Sequence, residues 1–80
     1  MANFKQDFIS RVLKAKINWP REMKIMNVLV SEYPEPAFWT NLDVGFQINS
    51  LAFFRTEEGS NLLRSKYLDF KAFLTRLQNK

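Results

Sequence analysis

Between Thr56 and Leu77 the apolar residues Leu63, Tyr67, Phe70, Leu74 and Leu77 recur at intervals of 4, 3, 4 and 3. That spacing lines one side of an α-helix, so the C-terminal segment is a helix that must bury a stripe against something. The seam runs for about two and a half heptads, short of the three or four of a sustained coiled coil, which predicts packing within the domain. Leu62 and Phe73 widen the seam, and Leu68 lies off it. Thr56 is a good N-cap, with Glu57 and Glu58 placed where the helix dipole favours anions. Gly59 has two readings. Inside the helix it costs roughly 1 kcal/mol; otherwise it ends a preceding short helix and Ser60 becomes the cap.

The rest of the chain reads as shorter helices. Asn3 caps a first helix, with Gln6 three residues on as in a capping box. Phe4, Phe8, Ile9, Val12, Leu13, Ala15 and Ile17 cover a wide arc of it, which predicts deep burial. Asn18-Trp19-Pro20 breaks that helix and starts another, because proline is tolerated in a first turn. The second helix ends before Pro34, since the residue preceding a proline avoids helical dihedrals. Its stretch 25–30 is also compatible with a strand. Pro36 opens a short helix carrying Phe38, Trp39 and Leu42, which Asp43-Val44-Gly45 ends. Phe46, Gln47 and Ile48 alternate as an extended piece, and Ser50 caps a short helix over Leu51–Arg55. With 80 residues, 46% apolar residues, eight Phe and only two Gly and three Pro, the chain is expected to be one domain, residues 1–80. The expected fold is all-α: a compact domain of four to five helices, the long C-terminal helix packed on an N-terminal helix pair.

The chain holds no Cys and no His. That removes disulfides, zinc sites built on thiolate or imidazole, and Cys–His or Ser–His catalysis. Only carboxylates are left as acid–base groups. Glu57 and Glu58 diverge by about 100° on a helix, and Glu32, Glu35 and Asp43 match no calcium loop or paired-carboxylate spacing. Gly45 and Gly59 stand alone, without a phosphate-cradling loop. No enzyme, cofactor or metal is expected. No apolar run is long enough to span a bilayer and no signal peptide is visible, so a cytoplasmic protein is expected. The basic, amphipathic residues 4–17 leave membrane-surface contact as a minor alternative.

Charge is segregated along the chain. Residues 11–24 hold five cations and one acid, residues 25–59 five acids and one cation, and residues 60–80 five cations and one acid. If the two basic stretches meet in space, they form one patch. The leading expectation is a basic, non-enzymatic accessory module binding nucleic acid. Its phosphate contacts are Arg11, Lys14, Lys16, Arg21 and Lys24, joined by Arg64 and Lys71, and Trp19 is the stacking group. The alternative is a protein-interaction module (an adaptor, inhibitor or homo-oligomer) using Phe38, Trp39 and Leu68, the acidic middle, or spare parts of the Leu63–Leu77 seam.

The runs NWPREMKIMNVLV, FWTNL and INSLAFFRTEEG resemble C-terminal segments of phage and plasmid replication accessory proteins. The likeness covers roughly residues 18–59. It implies a helical module working at replicating DNA beside protein partners, and carries over no particular functional residue.

Overall fold

The computed structural model describes residues 3–79. Its elements are α1 (Phe4–Val12), α2 (Trp19–Glu32), α3 (Pro36–Asn41), a 3₁₀ helix (Leu51–Arg55) and α4 (Glu57–Gln78). The expected all-α architecture with a long C-terminal helix is the observed one, and residues 25–30 are helical.

The local stop and start signals work as their chemistry dictates. The Asn3 side chain accepts from the N–H groups of Lys5 and Gln6, Asn18 from that of Arg21, Ser50 from that of Ala52, and Thr56 from that of Gly59. Each satisfies amide donors that a helix start leaves without a backbone partner. Pro20 and Pro36 sit in the first turns of α2 and α3. Gly45 takes a positive φ of 76° in the turn after α3, where its N–H donates to Asp43 Oδ1 at 2.8 Å.

The first helix is shorter than its apolar arc suggests. It stops at Val12, and Leu13 turns extended to form a parallel bridge with Ile48. Ile48 N–H donates to the Val12 carbonyl at 2.8 Å, and Lys14 N–H donates to the Ile48 carbonyl at 3.0 Å. Two backbone bonds to a distant segment thus replace the next turn of helix, and Ala15 is left exposed.

One core joins every element. Phe8, Ile9, Val12 and Leu13 meet Met26 and Leu29 of α2, Phe38 and Trp39 of α3, Leu51 and Phe54 of the 3₁₀ helix and Leu63 of α4. Fully buried Trp39 packs edge-on against Phe8 at 4.9 Å and donates its indole N–H to the Tyr33 carbonyl at 2.7 Å. Glu22 is fully buried in the first turn of α2. Its carboxylate accepts from Leu51 N–H at 2.7 Å, from the Ser50 hydroxyl and from Arg21 Nε at 2.9 Å, which fastens α2 to the start of the 3₁₀ helix.

α4 packs first against the 3₁₀ helix and then across the α2–α3 joint, where Tyr67 and Phe70 meet Tyr33 and Phe38. Phe70 is the last residue of α4 that packs on the core. Twenty-two residues make a rod about 33 Å long, and the molecule measures 44 × 33 × 22 Å. Its radius of gyration is 13.0 Å, against about 11.6 Å for a compact chain of this length. The distal turns of α4 run past the core.

Candidate functional site

Two surfaces hold the residues that the sequence singles out. The first surrounds the N-terminus of α2. Lys14 and Lys16 lie in the extended stretch between α1 and α2, and Lys24 on the second turn of α2. All three are exposed, and no side-chain partner for them appears among the described residues. Trp19 is 39% exposed at the head of α2 and does not plug the core. Lys24 also shares a small cleft of about 180 Å³ with Ile25, Val28 and Arg55. Arg55 was hidden in the sequence as the single cation of the acidic middle; here it pairs with Glu32 at 2.8 Å.

The other expected phosphate ligands are committed elsewhere. Arg11 is a fastener. Its guanidinium donates to the carbonyls of Leu42 at 2.9 Å, Trp39 at 2.8 Å and Thr40 at 3.3 Å, and pairs with Asp7 at 2.9 Å. It caps the C-terminal carbonyls of α3, which a six-residue helix cannot satisfy internally. Arg21 is paired with buried Glu22. Arg64 donates to Asn61 at 3.4 Å. Lys71 lies 3.4 Å from Glu35 and 5.6 Å from the centroid of the Tyr67 ring.

Of the second basic stretch, Lys71 stands apart from the first along α2. Lys14, Lys16 and Trp19 stand at its start, whereas Lys71 pairs with Glu35, just past its end. The axis of α2 between those ends is about 20 Å long. Lys80, counted in the second basic stretch, lies outside the described residues.

The carboxylates of the middle segment are likewise separated by their duties. Glu32 holds Arg55, Asp43 closes the turn at Gly45, and the Tyr67 hydroxyl donates its one hydrogen to the Glu35 carboxylate, whose two oxygens lie 2.8 and 2.7 Å away. The bond to Glu35, then desolvation, raises the Tyr67 pKa; the same carboxylate raises that of Lys71. Among the described residues no three acidic groups converge on a site able to hold a metal ion, and no helix is long and apolar enough to cross a membrane.

The second surface is the distal half of α4. Phe38 and Trp39, expected as partner-binding side chains, belong to the core at 3% and 0% exposure. So small a domain uses its largest rings to close itself. Leu68 is 61% exposed but isolated on the far side of α4. The continuous feature is the seam beyond Tyr67: Phe73 and Leu77 are half exposed, and Phe70 and Leu74 are partly so. Phe70 and Phe73 also line an open groove of about 370 Å³ against Phe38 and Leu42, with Lys66, Asp43 and Asp69 at its edges. The 4-3-4-3 spacing announced this face; it did not reveal that the core stops at Phe70. No protein-family model, curated protein or solved structure matches the chain.

Proposed function

We propose that this chain is a non-enzymatic helical module that works by binding another polypeptide, and that the distal half of α4 is its binding face. One observation carries the reading: the apolar seam continues through Phe73, Leu74 and Leu77 after the core has ended at Phe70. Single exposed leucines are ordinary on protein surfaces, but a run of large side chains on one stripe keeps apolar area in water at about 25 cal/mol per Å². The test is site-specific photo-crosslinking in extracts of the producing cells, with the reactive group at position 73 or 77 and a control at exposed Ser65. Discrete, nuclease-resistant polypeptide adducts from 73 and 77 alone are expected. Adducts with nucleic acid only, or none, would overturn the reading.

A second reading rests on a different surface. Exposed Lys14, Lys16 and Lys24 beside half-exposed Trp19 supply cations and a stacking group, which supports contact with nucleic-acid phosphates. It keeps three lysines and Trp19 of the eight residues first expected there, since Arg11, Arg21 and Lys71 serve the fold and Arg64 lies on α4. The resemblance of residues 18–59 to replication accessory modules is compatible with both readings.

A further inference from the structure

We infer that the occupant of the α4 face is a second copy of this chain, its α4 running antiparallel to the first. The inference rests on the reading of α4 as a binding face and adds the identity and direction of the partner. The flanks of the exposed seam carry it.

Asp69 and Arg76 are exposed and seven residues apart. Seven residues are two turns, so both stand on one flank, about 10.5 Å apart along the axis. Lys71 and Gln78 stand on the opposite flank at the same separation. A two-fold axis perpendicular to α4 near residues 73 and 74 turns each flank onto itself in reverse. Asp69 of one copy then faces Arg76 of the other, twice, and Lys71 faces Gln78, twice. No like charges are opposed. Between these flanks Phe70 meets Leu77 and Phe73 meets Leu74 of the other copy, and the two helix dipoles oppose.

Parallel pairing fails on the cores and not on the flanks, where it would set Asp69 beside Lys71 of the second copy. Each core packs on this same seam at Leu63, Tyr67 and Phe70, so two parallel copies would drive their cores into one another at the same height. Glu35 holds Lys71 at the edge of the two-fold contact. Only the last turns of α4 take part, so the interface is of the small, reversible kind.

Sedimentation of the full chain between about 1 µM and 1 mM tests this. The wild-type chain is expected to pass from monomer toward dimer mass across that range. The double variant F73E/L77E should stay monomeric with an unchanged helical circular dichroism spectrum, since neither residue packs on the core. D69R should weaken association about tenfold or more, and D69R/R76D should restore it. Failure of D69R/R76D to restore it would overturn the antiparallel register. A wild-type chain monomeric throughout would overturn the second copy as occupant. The binding face itself would survive that result if residues 73 and 77 still crosslink to a different polypeptide.

Discussion

At the scale of single residues, Gly59 shows where local reasoning and packing part. By propensity alone, Gly59→Ala should stabilise α4 by about 1 kcal/mol. The structure reverses the sign. A Cβ at this buried position would run into the backbone of Phe53 and Phe54, at the end of the 3₁₀ helix. Backbone cannot swing aside as a flexible side chain does, so the substitution must push α4 off its seat. Overpacking of this kind costs about 1–3 kcal/mol, and a lowered urea midpoint for Gly59→Ala is the expected result. A raised midpoint would show that the contact yields. The sequence offered only the two local roles, cost and cap, because the wall that demands a glycine comes from another element. Arg11 and Glu22 were obscure for the same reason. Arg11 stood among surface cations in the sequence, yet it binds three carbonyls of the α3 end; Glu22 stood only as the one acid of a basic stretch, yet it is buried against Ser50 and Leu51.

At the scale of elements, what is decided within a few residues was legible. The caps Asn3, Ser50 and Thr56, the break at Asn18 and the first-turn prolines mark helix starts in the chain and in the fold. The end of α1 was not legible, because the bridge between Leu13 and Ile48 joins segments 35 positions apart. The joint between α4 and the α2–α3 corner is also non-local, and it carries a pH dependence. Tyr67 and Lys71 both hold their protons more tightly in the folded chain than at their ordinary values of 10.0 and 10.5, chiefly through hydrogen bonds to Glu35. A group whose pKa is raised by folding contributes its full stability below the ordinary value and loses it as pH rises through the folded one. The joint should therefore keep its strength from about pH 8 to 10 and weaken above that, where a tyrosinate would face the Glu35 carboxylate. Thermal midpoints measured from pH 8 to 11 are expected to fall less steeply above pH 10 in Tyr67→Phe than in the wild-type chain. Parallel curves would remove the joint from the alkaline response.

At the scale of the whole molecule, the distribution of charge decides how strongly the chain can grip a polyanion. Segregation along the sequence suggested that two basic stretches pool into one patch, and the fold puts the length of α2 between the first of them and Lys71 of the second. Sequence order could not show this, because which ends meet depends on how the middle elements turn. Electrostatic binding to duplex DNA counts the phosphates neutralised together, at about −0.9 in log–log salt slope per contact. Four pooled contacts would give a slope near −3.6. The corner around Trp19 offers Lys14, Lys16 and Lys24, hence a slope no steeper than about −2.7. Anisotropy titrations of the chain with labelled duplex from low to physiological salt check this. K14E/K24E is expected to abolish the salt-dependent binding, whereas Lys71→Ala leaves slope and affinity unchanged, because Lys71 is held by Glu35 beyond the other end of α2. A slope of −3.6 or steeper that falls in Lys71→Ala would mean that the two ends act on one ligand after all. A slope near zero would end the nucleic-acid reading and leave the apolar face of α4 as the binding surface.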